Sequence, residues 1–351
     1  MIEAKAPGRI CFFGDHQDYL GLPVISGTID RYIYLKATET KSKFFEISLL
    51  DYNKFMIIEF KNDINKISSS DYFRAGLYVL EKNGIIPDRG YKIEINGDLP
   101  INAGLSSSSS LVVGWIKFLV KAFANDRKIN NLQIAKWAVE TEVDFFKQAG
   151  GIMDQYTISI GGLMMIDTSK KTYEKLKGNL GSLLVIDSGQ PKNTQGVLSK
   201  AKENAQEALQ YVKRVNKGFD LLKSKRSDYK KYLKHVPVNL RDYWQSTILN
   251  YEITKSAIKL LRGVNSSIND LGELMNSHQY FLKNNIKNTP VQLTKQMEKA
   301  INSGAIGAKI VGSGGGGCMV VMVDKNNISK VKKAILSAGA KDVFKVKITN
   351  Q

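Results

Sequence analysis

Polar and apolar residues alternate along Tyr-Lys-Ile-Glu-Ile-Asn at 91–96, which predicts a strand, and the run at 111–124 is apolar enough to predict a largely buried helix. Ile10–Phe13 reads as a short buried strand and Val24–Lys36 as a second one. Segments around Phe44–Leu49 and Phe55–Phe60 also alternate as strands do. Helical spacing covers Tyr72–Lys82, ending before Asn83-Gly84, and returns over Asn131–Phe146. Two buried strands follow at 161–166 and 183–186. From Gln195 to about Ala300 the pattern is helical, with roughly four helices and breaks near 224–228, Val236-Pro237 and 263–265. The chain then reads as a strand at 307–311, a glycine loop at 312–317, a strand at 318–323, a helix at 329–337 and a closing strand at 343–348.

The junction between the strand at 91–96 and the buried helix holds Pro100-Ile-Asn-Ala-Gly104-Leu105-Ser106-Ser107-Ser108-Ser-Ser110. Gly104 to Ser108 therefore fall on a turn that becomes a helix start. There the first backbone N–H groups have no intrahelical partner and the helix dipole adds partial positive charge. Small residues let an anion approach that backbone, and the hydroxyls add donors, so the stretch suits a phosphate. A plain serine loop with one N-cap is the alternative. No Gly-Lys-Ser/Thr follows, so it is not a Walker A loop.

Composition narrows the class. At 351 residues the chain suits two domains or one large one, and its 43% apolar content is ordinary for a globular core. No stretch approaches the ~20 apolar residues of a membrane span, and the first residues lack the basic and apolar regions of a signal peptide. Cys11 and Cys318 both lie in apolar strand-like runs, as buried free thiols do. Cytoplasmic residence is the expectation. The net charge of +18 favours anionic partners such as nucleotides or sugar phosphates. Its lysines are scattered, as at 223–234, with no aromatic-interleaved basic ribbon, so a solvated surface explains them better than a nucleic-acid footprint.

Three further clusters carry candidate chemistry. Gly14-Asp15-His16-Gln17-Asp18-Tyr19 follows the first buried strand, where carboxylates and an imidazole can face a ligand's hydroxyls; a capped surface turn is the alternative. Gly150-Gly151-Ile-Met-Asp154-Gln155 places a carboxylate at the start of a helix, as a ligand-facing group or an N-cap. The loop at 312–317 formally satisfies G-x-G-x-x-G, but a strand follows it instead of a helix, which excludes a dinucleotide fold. Its glycines let backbone pass close to another loop or to a phosphate. Asp187-Ser188-Gly189-Gln-Pro-Lys192-Asn-Thr194 suits a substrate contact or an ordinary turn equally.

Pro7-Gly-Arg9-Ile-Cys-Phe-Phe-Gly-Asp-His-Gln-Asp-Tyr19 resembles the first motif of galactokinases within the GHMP small-molecule kinase superfamily. The serine stretch resembles the superfamily's second motif, Gly-Ile-Met-Asp154-Gln a galactokinase string, Leu271-Gly-Glu-Leu-Met-Asn-Ser-His278 another, and the glycine loop the third motif. These five strings run in the family's order over nearly the whole chain.

The resemblance implies an α+β fold of two domains: a mixed-sheet N-terminal domain with left-handed crossover features at 1–179 and a ferredoxin-like, helix-rich C-terminal domain at 180–351. It also implies nucleotide binding in the cleft between them. The expected reaction moves the γ-phosphoryl group of ATP to a monosaccharide hydroxyl, most simply the anomeric one of galactose or a related sugar. Gly104, Leu105, Ser106, Ser107 and Ser108 would cradle phosphate, with Gly314 and Gly315 beside them. Ser108 and Glu142, the latter twelve positions before Asp154, would hold Mg²⁺. Asp154 would accept the hydroxyl proton and Arg9 would sit against it, keeping it ionised and offsetting charge on the transferring group. Asp15, His16, Asp18 and Gly151 would bind the sugar. Asp15 stands where the family has a glutamate, which shortens its reach by roughly 1.5 Å. Partners are then a small-molecule sugar and ATP, without membrane or nucleic acid, in a monomer or homodimer. Mevalonate-type or heptose-type kinases are rival readings, of which His16-x-Asp18-Tyr19 argues for a sugar over mevalonate; a non-catalytic sugar and ATP sensor is a third. His278 is read as structural.

Overall fold

The computed structural model describes residues 1–60, 67–100, 103–148, 150–191, 194–263 and 266–350. Ile101, Asn102, Lys192, Asn193, Val264 and Asn265, named above within loops, lie outside the described residues.

The first sheet is organised on one long strand. β1 (Ile2–Phe13) and β2 (Val24–Thr40) pair antiparallel along their length. The other edge of β2 takes β5 (Gly90–Gly97) through 33–40 and β6 (Leu163–Asp167) through 24–27. β3 (Phe44–Leu49), β4 (Lys54–Glu59) and β7 (Thr172–Lys175) complete seven strands, with β3 parallel to β5 and the remaining pairs antiparallel, a mixed sheet. The sequence pattern missed β7 because Thr-Tyr-Glu-Lys on a sheet edge is almost wholly polar and largely exposed.

Helices α1 (Tyr72–Lys82), α2 (Ser107–Phe123), α3 (Asn131–Val139) and α4 (Met153–Ile160) accompany this sheet. α2 is buried because its apolar residues surround it: Val112, Trp115, Ile116, Phe118 and Leu119 share one cluster with Phe45 and Tyr91. Phe45 meets Trp115 edge-on at 5.4 Å between centroids. Each such side chain contributes about 1.5–3 kcal/mol of burial, which fixes the helix and so aims its serine-bearing start. The helix expected over Asn131–Phe146 changes character: after α3, residues Glu140–Asp144 form a π-helical turn.

The second sheet is antiparallel, in the order β11-β8-β10-β9, built from β8 (Ser182–Asp187), β9 (Ala305–Ile310), β10 (Cys318–Val323) and β11 (Asp342–Val346). With α10 (Ile328–Ser337) between β10 and β11, this is the ferredoxin-like order. Among the described residues, five α-helices rather than four lie in 194–302: α5 (Thr194–Val215), α6 (Arg226–Leu233), α7 (Arg241–Arg262), α8 (Ile268–Phe281) and α9 (Val291–Asn302). The additional break falls before Pro290, which starts α9 with no N–H of its own to satisfy. α6 begins inside the break expected at 224–228.

Residues 176–181 separate the two sheets, and we propose 1–179 and 180–351 as the domains. Part of their contact is apolar: Ile10, Phe12 and Phe13 share a cluster with Val185, Val311 and Val320. The last residues return to the first sheet. Ile348 bridges Ile29, Thr349 N donates to Thr28 O at 3.0 Å, and Gly162 N donates to Thr349 O at 2.8 Å.

Candidate active site

A cavity of about 470 Å³ opens where α2 begins. Its walls come from the turn after β1, the start of α2, the π-helical turn, the segment entering α4, and Gly312-Ser313 after β9.

Arg9 leaves the buried end of β1 and forks onto Asp154 across 145 residues. Nε donates to Oδ1 at 2.7 Å and Nη2 to Oδ2 at 2.9 Å, while Nη1 donates to Gly104 O at 2.7 Å. Arg9 is sealed, whereas the Asp154 side chain keeps 26% of its surface open. Asp154 lies in the first turn of α4, whose N-cap is Ile152, so it is not a cap.

Ser106 also donates to Asp154, through Oγ to Oδ2. It is the N-cap residue of α2 and sits in the left-handed region at φ 61°, with no side-chain bond to the helix start. A serine there is strained; the conformation turns its hydroxyl away from the helix toward the carboxylate. Beyond it, Ser107 and Ser108 face the cavity at the helix start, where N–H groups have no intrahelical partner.

Glu142 lies on the π-helical turn, buried, and accepts from Gln155 Nε2 at 2.7 Å. Burial pushes its carboxyl above the usual glutamate range, and the Asp154 charge adds to this, against hydrogen bonds from Ser109, Gln155 and Ser108. Among the described residues no lysine or arginine forms an ion pair with it. A buried carboxylate without a counter-charge, next to the exposed hydroxyl of Ser108, is a donor pair that fits a hard cation. Glu140, by contrast, turns outward to pair with Lys82 at 3.0 Å. Among the described residues there is no cluster of three or more metal-ligating side chains, so a cation here would be held by few protein oxygens.

The segment after β1 divides its roles. Asp18 faces the cavity opposite Asp154. Burial, then the Asp154 charge, raise its pKa to about 6. Gly151 lies so close to Asp18 that a Cβ there would collide with the carboxylate. His16 is tied into the protein: Nδ1 meets Tyr19 Oη at 3.2 Å, and Nε2 lies 3.0 Å from both Ser313 O and Asn288 Nδ2. Asp15 is more fully engaged. Oδ2 pairs with Lys309 Nζ at 2.7 Å and Oδ1 accepts from Gly312 N at 3.1 Å.

Gly314 and Gly315 do not line the cavity. Gly315 N donates to Asn288 O at 2.7 Å, and a Cβ on Gly314 would press on the same carbonyl. Gly312 and Ser313 are the loop residues on the wall. The loop reaches the serine stretch through Cys318 N, which donates to Ala103 O at 2.7 Å. Ser188 braces it with a hydrogen bond to Gly317 O. His278 is buried against Phe13, and burial drives its pKa down to about 3, so it is neutral.

Of the residues the sequence singled out, Arg9, Asp15, His16, Asp18, Gly104, Ser106, Ser107, Ser108, Glu142, Gly151 and Asp154 are gathered around one cavity, and Leu105, Gly314 and Gly315 are not on its wall. It missed Lys309, Gly312, Ser313 and the link from Ser106 to Asp154. Lys309 had a signal, a lone lysine within the apolar run Gly307–Val311.

Three family descriptions match the chain: GHMP kinases N-terminal domain over 71–162, GHMP kinases C-terminal over 257–341, and the galactokinase galactose-binding signature over 2–38. A galactokinase of Limosilactobacillus reuteri is 30% identical, over 94% of this chain and 88% of the relative. One of Clostridium perfringens is 29% identical, over 94% and 87%. Among solved structures, Lactococcus lactis galactokinase complexed with galactose superposes with a TM-score of 0.87 at 22% identity, covering 99% of this chain and 94% of that one. Methanococcus jannaschii mevalonate kinase gives 0.74 at 20% identity, over 99% and 98%.

Proposed function

Because the chain belongs to the GHMP kinases, in their galactokinase group, it is an ATP-dependent phosphotransferase, and we propose that its acceptor is the anomeric C1 hydroxyl of galactose or a closely related sugar. One observation carries the reading of the site: a half-open carboxylate, Asp154, is held by the two-pronged Arg9 guanidinium beside a helix start.

Phosphoryl transfer asks for positioning and charge neutralisation more than for covalent help. The first turn of α2 offers backbone N–H groups and the Ser107 and Ser108 hydroxyls to phosphate oxygens. Asp154 Oδ2 already accepts from Arg9 and Ser106, while Oδ1 accepts from Arg9. The Asp154 carboxylate would take the acceptor's proton, and the Arg9 fork sets its direction. Arg9 also supplies fixed positive charge next to the transferring group. Asp18, with the Gly151 backbone packed closely beside it, would receive the sugar's hydroxyls.

Ser108 and Glu142 are the residues that would hold Mg²⁺, which keeps most of its water and neutralises charge on the phosphates. Cytoplasmic work is part of this reading, supported by two buried free thiols, Cys11 and Cys318. No described helix is long and apolar enough to cross a membrane.

The test is a coupled measurement of ADP formation with Mg-ATP and a panel of hexoses, with mevalonate and a heptose phosphate as controls. Galactose or a close relative should give the highest kcat/KM. Turnover confined to mevalonate or the heptose phosphate overturns the assignment of acceptor, and sugar binding without ADP from any acceptor overturns catalysis.

A further inference from the structure

Asp15 and Lys309 make an ion pair at 2.7 Å whose side chains are 1% and 0% exposed. Lys309 Nζ also donates to Cys11 O at 3.0 Å and to Ile310 O at 2.7 Å, so three oxygens surround the ammonium. The second Asp15 oxygen accepts from Gly312 N. The carboxylate thus has a protein partner at each oxygen, and the pair joins the turn after β1 to the end of β9, 294 positions apart. His16 adds a contact to Ser313 O in the same joint.

We propose that Asp15, which lines the cavity, serves there as a positioning residue, coupled to Lys309, that holds the Gly312-Ser313 wall against the turn carrying His16 and Asp18. The chemistry argues for it. An ammonium sealed from water needs a counter-charge with good geometry, and removing that charge strands it. The shorter aspartate side chain matches the role, since its oxygens stay at the joint. Gly312 and Ser313 sit on the cavity wall, so slack in the pair is transmitted to the acceptor end. This inference rests on the kinase reading above for its kinetic readout but not for its stability readout.

The experiment is a double-mutant cycle on the full chain with Asp15→Asn, Lys309→Gln and both together. Melting temperature and the KM and kcat for the acceptor are measured well below every melting point. Each single variant should melt lower and raise acceptor KM by about tenfold. The double variant replaces a charged pair by two amides that can bond each other, and should recover melting temperature and bring KM within about threefold of wild type. A double variant that melts like wild type yet keeps the high KM of Asp15→Asn would show that Asp15 reads the acceptor, and the proposal falls. Single variants with unchanged KM would reduce the pair to a structural one and overturn it equally. If wild type makes no ADP with any acceptor, the kinase reading fails, while non-additive melting temperatures still report the coupling.

Discussion

Two aspartates in this protein each face one buried cation, and they are built for opposite ends. Asp154 meets Arg9 at 2.7 Å and keeps 26% of its side chain open to the cavity; Asp15 meets Lys309 at the same distance and keeps 1%. The cations suit these uses. A guanidinium can grip a carboxylate with two prongs and still leave lone pairs facing outward, while an ammonium concentrates its charge at a point and is best enclosed by oxygens. The open pair can take a proton and a ligand. The closed pair ties two segments together.

The largest effect expected from this contrast is at the open pair. Asp154→Asn should lower kcat by about a thousandfold, read by ADP formation, yet cost only about 1–2 kcal/mol of stability by denaturant melt, because the remaining amide oxygen still accepts from Arg9 and water reaches the open side of residue 154. Asp15→Asn should invert that order, costing about 3–5 kcal/mol of stability with a kcat loss smaller than that of Asp154→Asn. Equal stability losses in the two variants would erase the distinction.

Ser106→Gly comes next. It keeps the left-handed backbone that glycine adopts without strain and removes one donor to Asp154, so kcat should fall by about tenfold. A variant with unaltered kcat would assign the hydroxyl to folding alone. The smallest effect concerns Asp18. Its folded-state pKa, about 6, lies above its ordinary value of 3.8. As an ionised carboxylate it accepts from two hydroxyls, so acceptor KM should fall as pH rises from 5 to 7. The stability sign is opposite: what the protonated group contributes is present below pH 4 and lost as pH rises through 6. Asp18→Asn should therefore raise the melting temperature at pH 7 relative to wild type, and not at pH 4.

Much of this was legible in the chain because it follows from local pattern. The run at 111–124 has nowhere to go but a core, so the serine stretch before it had to begin a helix at a defined place. The rest depended on tertiary facts that no period encodes. The π-helical turn at Glu140–Asp144 is invisible to a 3.6-residue pattern, although it sets Glu142 inward and Glu140 outward. Ser106 could not be known to sit at φ 61°, since propensity argues against it. Gly314 and Gly315 drew attention as glycines often do near phosphates, but their freedom serves close packing on Asn288. The partner of Asp15 lies nearly the whole chain away, so no local string announces its ion pair with Lys309.

The closing residues weave back between Thr28 and Gly162, in a sheet whose other strands all precede them by more than 170 positions. During synthesis the half that carries Arg9 and Asp154 must therefore wait, with that seam unfilled, until Ile348 and Thr349 have emerged. Trimming the last few residues after Val346 would loosen the sheet made first, far from where the cut was made.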